Sequence, residues 1–327
     1  MNMPKTVRWG ILGLGSIAKK FADDIKFVPD CKIEAVASSD MERSKNFANI
    51  YKVNRFYDNY DDLFKDGEVD IIYIASLNNN HYKFSAKALK HNKAVLCEKP
   101  LAINESQVKN LVYLSNERGV FLMEALWTRF NPVFDQLLKW ISEGQIGKIK
   151  YIYASFSFKG IDRSHDSRLF NPEKGGGSLL DIGIYPLFLS YQLLGYPISI
   201  MSDAIKSETG VDKQMAMIFR YKDSQALLYS SFSHNEDMCA KICGEKGEIY
   251  IDSRWHESKT IILSNNNKIK KKFEFIGKGY VYEIEESNKC IREKRIESKK
   301  WTHKNSLDLV KLMDKIRAQN DIFYPNE

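Results

Sequence analysis

Six residues near the start of the chain, Gly13-Leu14-Gly15-Ser16-Ile17-Ala18, have the types and spacing of a turn that receives a pyrophosphate. An apolar run, Val7 to Leu12, leads into them and an amphipathic stretch, Ser16 to Ile25, leads out, so the turn joins a strand to a helix. In that setting Gly13 permits the tight turn, Gly15 lets the backbone approach the phosphates, and Ala18 lets helix and strand pack closely. The first-turn N–H groups, those of Ser16 and Ile17 among them, face the anion from the helix N-terminus. A glycine-rich turn often has only a structural use; its placement between strand and helix is what predicts a dinucleotide here.

The end of the next apolar run, Ala37-Ser38-Ser39-Asp40, bears on which dinucleotide. An acidic residue at this strand end holds both ribose hydroxyls of NAD, whereas Ser38 leaves room for a 2′-phosphate. The expected cofactor is NADP, with NAD as the alternative. Ser39 stands where an arginine is expected, so the cation falls to Arg43 in the following helix. Arg43 also reads as a solvent-facing helix residue, and Asp40 stays open as a ribose ligand.

The elements around these residues alternate. Strands are expected at Val7 to Leu12, Ile33 to Ser38, Val69 to Ser76, Ala94 to Cys97 and Val120 to Leu126. Helices are expected at Ser16 to Ile25, Glu42 to Tyr51, His81 to Lys90 and Glu105 to Glu117, the last marked by Asn104 with Gln107 at its start and Gly119 at its end. Such alternation predicts a parallel sheet covered by helices, a Rossmann domain over residues 1–126. After Trp127 the style changes. Asn131 and Pro132 open a helix that Gly144 ends, and then short strands follow between polar turns: Lys148 to Phe158, Ser199 to Glu208, Lys213 to Tyr221, Gln225 to Ser233, Ala240 to Cys243, Glu248 to Asp252, Thr260 to Ser264 and Lys271 to Ile276. Helices are expected near Leu179 to Leu194 and at the end of the chain. Residues 127–327 should thus form an α+β domain with a large, mostly antiparallel open sheet, and the overall class is α/β. A ligand is expected in the crevice between the domains.

Composition limits the alternatives. Hydrophobic residues at 43% and aromatics at 12% supply a sizeable core and exclude a disordered chain. The net charge of +7 raises nucleic acid as a partner, but the excess sits in Lys268 to Lys272 and Arg292 to Lys300, runs that usually form solvated faces, without a base-stacking platform nearby. No nucleic-acid or membrane partner is expected. No apolar run approaches the roughly 20 residues that span a bilayer, and Met1 to Arg8 lacks the apolar core of a signal peptide, so a cytoplasmic location is expected. The cysteines, Cys31, Cys97, Cys239, Cys243 and Cys290, are scattered and read as free thiols, with no metal expected.

Glu98-Lys99-Pro100, directly after an apolar strand, begins a wider likeness. With Gly10 to Ala18, Asn78 to His81, Glu124-Ala125-Leu126-Trp127-Thr128-Arg129-Phe130, Gly175 to Pro186 and Glu297-Ser298, the chain resembles the glucose-fructose oxidoreductase and inositol dehydrogenase (Gfo/Idh/MocA) family over nearly its whole length. The Trp-Thr-Arg-Phe segment and Tyr185, where most of the family carries a histidine, are similar to the branch of dimeric dihydrodiol dehydrogenases and NADP-dependent D-xylose dehydrogenases. The resemblance implies a nicotinamide-dependent oxidoreductase acting on a sugar, cyclic polyol or trans-diol, and a homodimer formed through an open sheet face of the second domain. It further implies that Lys99, Asp181 and Tyr185 meet at the nicotinamide. Asn78, Glu98 and Lys99 are expected to bind the cofactor, and His81, beginning a helix beyond the carboxyl end of a strand, either caps that helix or lines the nicotinamide side of the cofactor.

Oxidising an alcohol requires a base within hydrogen-bond reach of the hydroxyl as hydride leaves carbon. Tyr185 can serve if a cation such as Lys99 makes its phenol more acidic than the usual value of about 10. Asp181 and Tyr185, four residues apart, share a face if the segment is helical; Pro186 placing the first turn there would spoil that geometry, and Asp181 as a helix cap is a competing reading. Tyr185 also reads as a core tyrosine and Lys99 as a surface residue before a turn. Trp127 and Arg129 line the substrate pocket or pack between domains. His165, Arg168 and the loop at 159–177 receive no role from sequence. A non-catalytic NADP(H)-binding sensor is the alternative to the enzyme.

Overall fold

Val7–Leu12 (β1), Cys31–Ala37 (β2), Arg55–Tyr57 (β3), Ile71–Ile74 (β4), Ala94–Glu98 (β5) and Leu122–Ala125 (β6) form a six-stranded sheet in the order β3-β2-β1-β4-β5-β6. Every pairing is parallel. This is the expected doubly wound sheet, and its strand order reverses between β1 and β4, the place where open α/β sheets bind ligands beyond their strand ends. The computed structural model describes residues 6–325 and 327; Met1 to Lys5, part of the stretch read for a signal peptide, lie outside them.

Ser16–Ile25 (α1), Met41–Tyr51 (α2), Tyr60–Lys65 (α3), Asn78–Lys90 (α4) and Glu105–Arg118 (α5) make the crossovers. The capping expected for α5 is present: Asn104 accepts from the Gln107 N–H at 2.9 Å, and Gly119 takes the left-handed conformation after the last turn, with φ 63°. Helix α4 begins at Asn78, three residues before the expected start at His81. Asn78-Asn79-Asn80 carries no apolar periodicity, so nothing local announces a first turn there. The short β3 and α3 have no counterpart in the sequence reading, because three-residue and six-residue elements are too brief to show a period.

The second unit starts with Pro132–Ser142 (α6), opened as expected by Asn131, whose side chain accepts from the Phe134 N–H at 2.9 Å. Ile149–Ser157 (β7) then enters a sheet, and Ile184–Leu194 (α7) packs on it. Ser199–Lys206 (β8), Asp212–Arg220 (β9), Gln225–Ser231 (β10), Ala240–Gly244 (β11), Glu248–Ile251 (β12), Thr260–Ser264 (β13) and Lys268–Lys272 (β14) complete eight strands in the order β14-β13-β12-β11-β7-β10-β9-β8. The sheet is antiparallel except at its centre, where β7 and β10 run parallel. Strand β14 lies three to four residues earlier than expected. The Asn265–Asn267 turn closes so tightly, with Asn265 N–H donating to the Asn267 carbonyl at 3.0 Å, that Lys268 pairs at once with Ser264. Lysines on an edge strand discourage pairing with another chain, which gives the basic run at 268–272 a physical use.

Contacts divide the chain into Met1–Phe130 with Phe275–Leu307 and Asn131–Glu274 with Asp308–Glu327. The linear division at 126/127 does not anticipate this return of 275–307 to the first unit. It is built from Val281–Arg292 (α8), which approaches α1, and from the chain leading to His303–Gln319 (α9). Asn288 of α8 accepts from the buried Trp9 indole at 3.0 Å, and Asp24 of α1 accepts from the N–H groups of Lys278 and Tyr280 at 2.8–2.9 Å. These partners lie more than 250 residues apart, a separation that no local pattern reports. No helix among the described residues is long and apolar enough to cross a membrane, and none of their His, Cys, Asp and Glu side chains group as a metal site.

Candidate active site

In the first unit, the turn after β1 requires glycine on steric grounds. Gly13 has φ 86°, and a Cβ there would lie 2.7 Å from the Ala75 carbonyl oxygen. Gly15 is different: a Cβ on it would meet nothing within 4 Å. It precedes α1 and no side chain caps that helix, so the first-turn N–H groups of Ser16, Ile17 and Ala18 are left to an outside acceptor. Ala18 is fully buried, as close helix-to-strand packing demands. A bare backbone turn at an uncapped helix N-terminus suits a pyrophosphate.

At the end of β2, Ser38 is buried and its hydroxyl has no hydrogen-bond partner among the described residues, while Ser39 beside it is exposed. Asp40 caps α2, accepting from the Arg43 N–H at 2.7 Å. Its carboxylate thus already has a local task. The exposed Arg43 guanidinium has no ion-pair partner among the described residues.

Asn78 opens α4 beyond the end of β4. His81, one turn on, is buried, with Nδ1 2.7 Å from the Pro100 carbonyl and Nε2 3.1 Å from the Ser76 carbonyl. Burial pushes its imidazole down to about 4, so the ring is neutral at pH 7 and the shorter contact marks Nδ1–H as the donor. Through that one donor His81 ties the turn after β5 to the first turns of α4. That turn carries Glu98, whose carboxylate accepts from the buried Tyr73 hydroxyl, then the half-buried Lys99 and a cis Lys99–Pro100 peptide. Trp127 stacks on Tyr280 with ring centres 5.1 Å apart, and Arg129 donates through Nε to the Lys300 carbonyl at 3.0 Å. Both meet the returning segment of their own unit.

In the second unit, Leu179–Gly183 forms a π-helical turn that runs directly into α7. Asp181 lies in the wide turn and Tyr185 in the first turn of α7, where Pro186, which has no N–H, follows the change from π- to α-helical pairing. Asp181 is not the helix cap. Its Oδ2 is 2.9 Å from Arg168 Nη1, which gives the 159–177 loop a contact with the site that sequence did not assign. The Tyr185 ring lies 5.4 Å from Phe156 and 5.3 Å from His256. The start of this run is held by Asp212, a buried carboxylate that accepts from the Ser178 hydroxyl at 2.6 Å and the Leu179 N–H at 2.7 Å. Burial pushes the Asp212 carboxyl up, and those two donors oppose the shift. His256 and Asp212 were missed by sequence reasoning, each lying on an ordinary strand or turn without a motif of its own, and Glu124, though it opens the Glu124–Phe130 segment, received no role there.

Comparison with known proteins places this geometry. Residues 7–126 match the model described as an oxidoreductase family with an NAD-binding Rossmann fold, and residues 134–250 match the GFO/IDH/MocA C-terminal domain. The trans-1,2-dihydrobenzene-1,2-diol dehydrogenase of Xenopus tropicalis is 34% identical across 97% of this chain and 99% of its own. The chain belongs to the Gfo/Idh/MocA family of oxidoreductases. The mouse protein of the same name is 30% identical over 98% of this chain and 99% of its own. Among solved structures, the aldose-aldose oxidoreductase of Caulobacter crescentus, complexed with glycerol, superposes with a TM-score of 0.88 at 21% identity, covering 97% of this chain and 98% of that one. A 3-ketoreductase from Actinomadura kijaniata, in complex with NADP and TDP-benzene, gives 0.87 at 22% identity with the same coverage. Both structures share the fold. The family is one with an NAD-binding Rossmann fold, and the backbone of the uncapped turn after β1 fits a dinucleotide.

Proposed function

We propose that this oxidoreductase prefers NADP and acts on the CH–OH or carbonyl carbon of a sugar, cyclic polyol or trans-diol. The observation that carries the reading is the helical run that presents Asp181, paired with Arg168, and Tyr185 one turn later. Bound nicotinamide would supply the hydride acceptor or donor. Tyr185 serves as the group that takes the proton from the substrate hydroxyl or returns it to a carbonyl oxygen. Asp181, its charge balanced by Arg168, accepts from a neighbouring hydroxyl and so favours substrates with adjacent oxygens. Lys99 supplies the cation that makes a tyrosine usable as a base. The relatives named dihydrodiol dehydrogenases and the sugar oxidoreductases of like fold support this substrate range. Aldoses, inositols and trans-diols assayed with both cofactors by nicotinamide absorbance test it; the reading is overturned if none turns over.

The NADP preference rests on Ser38 where an acidic ribose ligand would stand, on the exposed Arg43 and on Asp40 being occupied as a cap. Arg43→Ala is expected to weaken NADP binding about tenfold, one charge-assisted contact, and to leave NAD binding unchanged. A titration in which wild type binds NAD as tightly as NADP would reassign the adenosine pocket to Asp40.

The proposed assembly is a homodimer through the face of the eight-stranded sheet away from α7. Met201, Ile205, Ile218 and Leu227 are 67%, 52%, 41% and 38% exposed there, on neighbouring strands β8, β9 and β10. A row of apolar side chains on an open sheet marks an interaction surface. Sedimentation at micromolar concentration should show a dimer, and Ile218→Lys should shift it to monomer; a monomeric wild type sinks the proposal.

A further inference from the structure

Glu124 is an acidic residue on β6, a strand otherwise made of Leu122, Met123 and Ala125. It is 2% exposed. Burying a carboxylate is costly unless its oxygens are satisfied, and here they are. Oε1 accepts from the Leu101 N–H at 2.9 Å, and Oε2 accepts from the Trp301 indole at 3.1 Å and the Ser306 hydroxyl at 2.6 Å. All four residues belong to the first unit.

The Leu101 contact connects this group to the reaction. Pro100 has no N–H, so Leu101 offers the first backbone donor after Lys99. The Pro100 carbonyl is held by His81 at 2.7 Å, and the Glu98 carboxylate by the Tyr73 hydroxyl. Lys99 thus sits between anchored neighbours on both sides, and Glu124 supplies the anchor that follows it. An aliphatic residue on β6 would fill the same space without an acceptor for Leu101.

We infer that Glu124 is a positioning residue for Lys99, fixing the turn that aims the lysine side chain. This rests on Lys99 taking part in the reaction. A displacement of about 1 Å at a reacting group can cost on the order of 10²-fold in rate, so the anchor has a kinetic readout. Three measurements on the full chain test it. Amide hydrogen exchange of the wild type should show Leu101 strongly protected, and Glu124→Leu should expose it. Glu124→Leu should lower the single-turnover hydride-transfer rate by roughly 10- to 100-fold, with Glu124→Gln, which keeps an acceptor for Leu101, recovering most of the loss. In a Lys99→Ala background Glu124→Leu should cost almost nothing further, because it acts through the lysine. An unprotected Leu101 in the wild type overturns the inference even where Glu124→Leu fails to fold. So does a loss from Glu124→Leu that stays at full size without Lys99. Failure of the catalytic reading looks different: Lys99→Ala then turns over normally while Leu101 remains protected.

Discussion

Tyr185→Phe should lower the rate of hydride transfer by about 10²- to 10⁴-fold, the range for losing a positioned general acid or base, while cofactor affinity and melting temperature hardly move. The phenylalanine keeps the ring and with it the packing against Phe156 and His256, at 5.4 and 5.3 Å between ring centres. Only the hydroxyl is lost. Lys99→Ala should behave otherwise, weakening NADP binding as well as the rate, because in the proposed function Lys99 is both the cation that tunes the phenol and a cofactor contact. Residues acting as one catalytic unit lose less together than the product of their separate losses, so the double variant should fall well short of that product. If Tyr185→Phe keeps near-normal turnover with hydride transfer shown to be rate-limiting, Tyr185 is a packing residue and the base lies elsewhere, at Lys99 or at a water held by Asp181.

The part of this site nearest the backbone was legible in the sequence. Gly13 needs a positive φ and a carbonyl at close range, Asn104 and Asn131 cap the helices they precede, and strand-to-helix alternation specified the parallel sheet. Each is a local rule, read within a few residues. What escaped is the set of long-range partners. Nothing near Glu124 shows that Leu101, Trp301 and Ser306 will meet it, and nothing near Arg168 shows that it reaches Asp181 across 13 positions of loop. Helix α8 escaped for the same reason. It carries Glu283, Glu285 and Glu286, and of these Glu283 is fully buried.

That burial leads to the second large effect. Glu283→Met should raise stability by about 1–3 kcal/mol at pH 8, the range for removing a buried polar group left without a hydrogen bond. Neither carboxylate oxygen of Glu283 has a hydrogen-bond partner among the described residues. Burial pushes its carboxyl well above the usual range, and the negative charges of Glu98 and Asp24 act in the same direction. The sign follows from proton counting. With the folded-state value above the unfolded one of about 4.3, the folded chain holds a proton between them that the unfolded chain has released, so stability falls as pH rises through that window, by up to about 1.4 kcal/mol per pH unit. Below pH 4 both states are protonated and this contribution vanishes, leaving only an unpaired neutral carboxyl. The advantage of Glu283→Met should therefore shrink as pH falls from 8 to 4. Denaturant unfolding of both proteins at several pH values measures it. A difference that stays constant across that range would mean that Glu283 titrates alike in the folded and unfolded chains.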